Sequence, residues 1–459
     1  MNKALLFLLL ISFSEATIAQ QKKGPNVIII MTDDMGYADV GFNGCKDIPT
    51  PNIDRIASSG VVFSSGHVSF AVCSPSRAGL LTGRYSQRFG YERNVLYIPG
   101  DEQMGLSLEE ETMADVLGRA GYATMLVGKW HLGAHPNLHP LKRGFKEFFG
   151  FLGGGHQYFP KEWTISDPLS VMDEPGSYKT KLNKGNTVVE EKEYITDAFS
   201  REAVSFLDRN ASKPFFLYLT YNAPHTPLQA PEQYLSRFSH IADKKRSTYA
   251  AMVSAIDDGV GKILDKLKET GQEKNTLVFF LSDNGGPVEN GSSNGNLTGR
   301  KGSLFEGGIR VPFAMQWPGT VPAGMVYDKP VISLDMYATV LAQLKQSVKT
   351  KHPLDGVNLV PFLTGKKTGA PHETLFWRHY DMKSYAALSA DGKKLWMKGD
   401  STVLYDLGTN PREAKNIADE HPARVIKMKQ QLLDWEKGLK PPAFLGLSQR
   451  DAYIKSKGL

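Results

Sequence analysis

The chain has 459 residues, 41% of them hydrophobic and 22% charged, with a net charge of +6 and a pI near 8.9. That hydrophobic content excludes an intrinsically disordered chain, two cysteines exclude a disulfide-built scaffold, and so small a charge gives no reason to assign a nucleic-acid partner. The length exceeds what one core usually holds, so a large domain with a smaller one is expected.

Residues 1–19 read as an export signal: Met-Asn-Lys, an apolar run from Ala4 to Ile11 too short to span a bilayer, and small Thr17 and Ala19 placed for cleavage. No cysteine follows the run to carry a lipid, and no later stretch has the length of a membrane helix. The expectation is a protein exported to the periplasm or secreted, without stable membrane insertion. Asn26 to Met31 is a continuous apolar run of β-branched type, the pattern of a strand covered on both faces, and it ends at Asp33 and Asp34. Thr50 is placed to cap a helix opened by Pro51 and closed by Gly60, before a strand at Val61 to Phe63. Helix then alternates with strand: helix 109–120 and strand 122–127, helix 197–208 and strand Phe215–Leu219, helix Ser247–Lys268 and strand Thr276–Leu281. Such alternation predicts an α/β fold, a mainly parallel sheet flanked by helices. Residues 153–195 read as an excursion over the active face, a small hairpin or a surface loop. From about residue 365, short strands joined by turns and a closing helix at 421–437 predict a smaller antiparallel sheet-plus-helix domain. The domains expected are therefore 20–365 and 366–459.

Polar clusters follow four of these strands: Asp33-Asp34, Lys129 with His131, Asn222 to His225, and Asp283-Asn284. Ligand sites of open α/β sheets lie beyond the carboxyl ends of the strands, so the four clusters can share one crevice. Asp33, Asp34, Asp283 and Asn284 offer only oxygen donors, which suits a hard cation, Ca²⁺ or Mg²⁺. Cys73 begins the string Cys-Ser-Pro-Ser-Arg. Pro75 suits the first position of a helix, Leu80 and Leu81 give that helix an apolar face, and Gly83 can end it. Cys73 then sits at a helix start, where free N–H groups, the helix dipole and Arg77 favour a tetrahedral anion. A Cys45–Cys73 disulfide is the other reading of the same two cysteines.

The string from Cys73 to Arg77, continued by Leu-Thr-Gly-Arg to Arg84, resembles the signature of the type I sulfatases of the alkaline-phosphatase superfamily. So do Thr-Asp-Asp-Met-Gly at 32–36, Thr-Pro-Asn-Ile-Asp at 50–54, Gly-Lys-Trp-His-Leu-Gly at 128–133, Asn-Ala-Pro-His-Thr-Pro at 222–227, Ser-Asp-Asn-Gly-Gly at 282–286 and Gly-Arg-Lys-Gly-Ser at 299–303, all in family order. The resemblance implies an alkaline-phosphatase-like fold and Cys73 oxidised to formylglycine by a formylglycine-generating or sulfatase-maturating enzyme, leaving Cys45 as a structural thiol. It implies a metal held by Asp33, Asp34, Asp283, Asn284 and the modified residue 73; Asn284, where zinc-dependent relatives carry histidine, points to Ca²⁺, with Mg²⁺ left open. It further implies that Arg77, Lys129 and Lys301 hold the sulfate oxygens while the hydrated aldehyde attacks sulfur, with His131 as base and His225 as acid to the leaving alcohol.

The function so implied is hydrolysis of sulfate esters, on a sulfated polysaccharide or its oligosaccharides. A phosphatase or phosphodiesterase of the same superfamily is the nearest alternative; an unmodified Cys73 would instead leave a non-catalytic binder of sulfated glycans. Position alone suggests His156, Tyr158, Trp163, Arg378 and His379 for an exposed rim that selects the sugar.

Overall fold

The computed structural model describes residues 24–165 and 178–458, so the expected export signal lies outside the described residues. Asn26–Thr32 is buried from end to end, as its β-branched run requires, and lies within a ten-stranded sheet. In spatial order the strands are Met325–Tyr327, Val61–Phe63, Phe313–Gln316, Thr276–Ser282, Asn26–Thr32, Phe215–Thr220, Ala123–Lys129, Glu147–Phe151, Leu182–Lys184 and Thr187–Val189. Those from Thr276–Ser282 to Glu147–Phe151 are parallel, while Phe313–Gln316 pairs antiparallel with both its neighbours. Period-two alternation sends Val27, Ile29 and Met31 into one core and Ile28 and Ile30 into the other. The helices Cys73–Thr82 and Met113–Arg119 cover the first face; Ile195–Arg209 and Lys244–Glu269 cover the second.

Three local details depart from the sequence reading. The Thr50 hydroxyl does not cap the Pro51–Ser58 helix but accepts the Gly41 N–H at 2.7 Å. The free N–H groups of Asn52 and Ile53 go instead to Asp257, at 3.0 and 2.8 Å, a carboxylate supplied by a distant helix. Pro75 is the third residue of its helix rather than the first, because the helix starts at Cys73 itself. The helix expected from residue 109 starts at Met113, where Thr112 and Asp115 form a reciprocal capping box.

In the chain between the parallel strands Glu147–Phe151 and Phe215–Thr220, residues 182–189 form a hairpin that extends the sheet edge. The strands Thr374–His379, Ser384–Ser389, Lys393–Lys398 and Ser401–Asp406 make a four-stranded antiparallel sheet. One of its faces packs Ala387, Leu395 and Leu404 against Met428 and Leu432 of the helix Pro422–Glu436. The other sends Leu375, Trp377, Ala386 and Leu388 into the main core.

Candidate active site

Register decides which polar residues meet. Thr32 is paired with Ser282, Met31 with Thr220, and Thr220 in turn with Gly128, so the residues that follow these strands emerge along one edge. Ligand atoms of Asp33, Asp34, Cys73 and Asp283 thereby come within 4.8 Å of one another, all buried. The Cys73 sulfur lies 3.6 Å from Asp33 Oδ1. Cys45 is a separate free thiol, half-buried and directed at Asp47, so the two cysteines are not bridged.

Three cations interleave with the three carboxylates. Arg77 forks onto Asp283 through Nε at 3.0 Å and Nη2 at 2.7 Å, Lys129 Nζ donates to Asp33 at 2.6 Å, and Lys301 Nζ lies 2.6 Å from Asp34. Burial opposes the charge on Asp34, but Lys301 and His225 outweigh it and hold this carboxyl well below the usual range. Asp283 moves the other way, because burial and neighbouring Asp33 outweigh Arg77. Burial also opposes charge on Lys301, yet Asp34 and the acids behind it keep its ammonium ionised. The Cys73 thiol is pushed far up by burial against the pull of Lys129 and Lys301. An unmodified thiol here stays protonated at neutral pH and makes a poor thiolate nucleophile.

His131 and His225 border this cluster. His131 is buried, and burial, with Lys129 and Arg77 nearby, holds its pKa well below 6.5. Ser74, the second residue of the Cys73 helix, donates to the His131 carbonyl at 2.6 Å, which ties that histidine to the helix start. His225 Nε2 lies 3.6 Å from Asp34, and its Nδ1 faces the Thr226 carbonyl at 2.6 Å, which favours the proton on Nδ1. Burial lowers His225 to about 4 despite Asp34. Asp34 and His131 both have positive φ, 65° and 56°, a conformation non-glycine residues rarely adopt and one that clusters at functional sites.

Asn284 donates its amide N–H to Asp34 at 2.7 Å, and its buried Oδ1 has no hydrogen-bond partner among the described residues. A cation among Asp33, Asp34 and Asp283 would give that oxygen a partner and offset the mutual repulsion of the acids, so this donor set fits a hard, oxygen-seeking metal.

The residues expected on a sugar-selecting rim are placed differently. His156, Tyr158 and Trp163 are buried rather than exposed, Tyr158 and Trp163 within the second core and His156 edge-on to Trp163. Tyr158 instead donates to the carbonyls of Asn222 and His225, at 2.7 and 2.8 Å, and so holds the segment carrying His225; no periodicity around residue 158 signals this. Arg378 is buried in an ion pair with Glu92, and His379 is half-buried against Phe70.

The sulfatase profile matches residues 25–346, and a profile described as N-sulphoglucosamine sulphohydrolase, C-terminal, matches residues 300–438. The chain belongs to the sulfatase family. As a sulfatase it is a sulfuric ester hydrolase. N-acetylgalactosamine-6-sulfatase of Mus musculus is 33% identical over 90% of this chain and 79% of its own length, and that of Homo sapiens 34% over 86% and 76%. Among solved structures, Ps i-CgsB in complex with k-i-k-neocarrahexaose superposes with a TM-score of 0.87 at 38% identity, covering 95% of this chain and 98% of the other. The phosphonate monoester hydrolase of Agrobacterium radiobacter shares the fold, with a TM-score of 0.66 at 21% identity.

Proposed function

We propose that this sulfatase is exported and hydrolyses sulfate esters on a sulfated polysaccharide or its oligosaccharides, using formylglycine made from Cys73 by a maturating enzyme. The observation that carries the reading is the placement of Cys73 within 4.8 Å of three buried acids at the start of a helix, ringed by Arg77, Lys129 and Lys301. Asp33, Asp34, Asp283 and Asn284 would hold Ca²⁺, which suits an all-oxygen donor set with room for more ligands, although Mg²⁺ accepts oxygen donors too. The hydrated aldehyde supplies a nucleophilic oxygen and the metal Lewis acidity.

The chain's own residues do the rest. Three carboxylates and three basic side chains balance in the buried cluster, so a divalent cation leaves it positive and suited to a sulfate ester. Arg77, Lys129 and Lys301 orient the sulfate oxygens and offset the charge that grows on them. His131, neutral because of burial and flanking cations, takes a proton. His225, held at about 4 by burial, is to deliver one to the departing alcohol oxygen, and the negative charge of a bound sulfate ester raises it toward the protonated form that this role needs. Carbohydrate is the favoured alcohol because the murine and human relatives are named for an amino sugar and the solved neighbour holds a neocarrahexaose. Among the described residues no helix is long and apolar enough to cross a membrane; the N-terminal composition supports export.

The test has two parts. Mass spectrometry of the residue-73 peptide from native-host protein is expected to show an aldehyde or its hydrate in place of the thiol. The same protein is expected to release free sulfate from sulfated carrageenan oligosaccharides or N-acetylgalactosamine 6-sulfate. A peptide that is wholly thiol overturns the formylglycine chemistry; a modified protein inert on both sugars overturns the carbohydrate assignment.

A further inference from the structure

Lys394 is fully buried on a strand of the small sheet, where alternation with Trp396 calls for an apolar side chain. Its ammonium bridges two carboxylates, Glu306 Oε1 and Glu413 Oε1, each at 2.8 Å. Glu306 also meets His67 Nε2 at 3.0 Å, and its backbone N–H donates to Glu413 at 2.8 Å. Buried ion pairs of this kind add little net stability over a well-packed apolar cluster, but they are demanding about geometry.

The segment they grip is the one that carries Lys301. Gly307 N–H closes back onto Thr298 O at 2.7 Å, Thr298 in turn donates to the Arg412 carbonyl, and Phe305 stacks on Trp396 with ring centres 4.9 Å apart. Inside that closed segment, Gly302 N–H bonds the Ala71 carbonyl at 2.8 Å, two residues before Cys73. The small sheet also reaches the run into Cys73 directly, through Trp377 Nε1 on the Val68 carbonyl at 2.8 Å.

We infer that Lys394 and Glu413 are positioning residues for catalysis: acting through Glu306, they set the segment that places the Lys301 ammonium beside Asp34 and residue 73. The inference rests on the proposed role of Lys301. It makes the small sheet part of the catalytic apparatus although neither Lys394 nor Glu413 touches the site.

The experiment compares wild type, the charge-balanced pair Lys394→Met with Glu413→Gln, and the conservative Lys394→Arg. Kinetics use 4-nitrophenyl sulfate and N-acetylgalactosamine 6-sulfate; amide hydrogen exchange follows the 298–309 peptides with no need for turnover. The double variant, folded by circular dichroism, is expected to lose at least about tenfold in kcat with KM changed less than about threefold, since Lys301 would stabilise the transition state more than the bound substrate. Exchange is expected to rise in 298–309 and stay unchanged in the strand 26–32, with Lys394→Arg restoring much of both. A folded double variant with wild-type kcat, or with unchanged exchange in 298–309, overturns the inference. If wild type releases no sulfate from either probe, the functional reading fails, and exchange still decides whether Lys394 and Glu413 order the Lys301 segment. Should the double variant not fold, Trp396→Leu, which loosens the same segment through Phe305, is judged by the same two readouts.

Discussion

In the proposed mechanism His131 and His225 transfer protons rather than hold the core together. Changing either to alanine is expected to lower kcat by about 10²- to 10⁴-fold while leaving the thermal midpoint nearly unchanged, checked by sulfate release and calorimetry. Only the protonated form of His225 can donate to a leaving alcohol, so kcat is expected to fall as pH rises past its loss of the proton in the substrate complex. His225→Gln is expected to abolish that alkaline limb. A different histidine contributes to acid stability. His139 is buried with its ring edge-on to Phe148, and burial lowers it to about 4 from 6.5. Between those values the unfolded chain binds the proton and the native one does not, so stability rises with pH across the window and is lost as pH falls through it. The contribution is at most about 3 kcal/mol. Denaturant titrations at pH 4.5 and 7 are expected to show a smaller difference for His139→Leu than for wild type.

At the scale of elements, the strand Ala123–Lys129 delivers Lys129 only because glycine precedes it. Gly128 has φ of 109°, and a Cβ there would lie 2.0 Å from the Thr220 carbonyl of the neighbouring strand. Gly128→Ala is expected to cost at least about 2 kcal/mol and to displace Lys129, read as a lower thermal midpoint together with a fall in kcat. Periodicity made the existence and approximate span of most elements legible, since strands such as Asn26–Thr32 carry an unbroken apolar run from Val27 to Met31 and the helices carry one apolar face. Cap chemistry was less legible. Thr50 has the right residue type for an N-cap, yet Asp257, distant in the chain, satisfies the helix start. The aromatic residues around Tyr158 look like a sugar-binding rim in sequence because stacking surface and core filler use the same side chains, and only burial separates the two.

Across the whole molecule, like charges are concentrated at one sheet edge and balanced by buried cations. Chelation is expected to lower both activity and thermal midpoint, because removing a divalent cation restores the repulsion among Asp33, Asp34 and Asp283. Adding back Ca²⁺ is expected to recover both more fully than Mg²⁺, which demands a stricter octahedron. Residues 366–459 are expected to be indispensable: a chain ending at 365 would expose the core contacts of Leu375, Trp377 and Leu388 and leave Glu306 without Lys394. Such a fragment should aggregate or remain unfolded by circular dichroism. The sequence by itself determined the α/β class, the family resemblance and the set of chemical groups, because hydrophobic period and motif order are local properties of the chain. Tertiary structure alone decided which carboxylate meets which cation, that His156, Tyr158 and Trp163 lie inside, and that Lys394 grips the Lys301 segment. Those outcomes depend on strand register and on contacts between residues far apart in the chain, and neither is encoded in any single stretch of sequence.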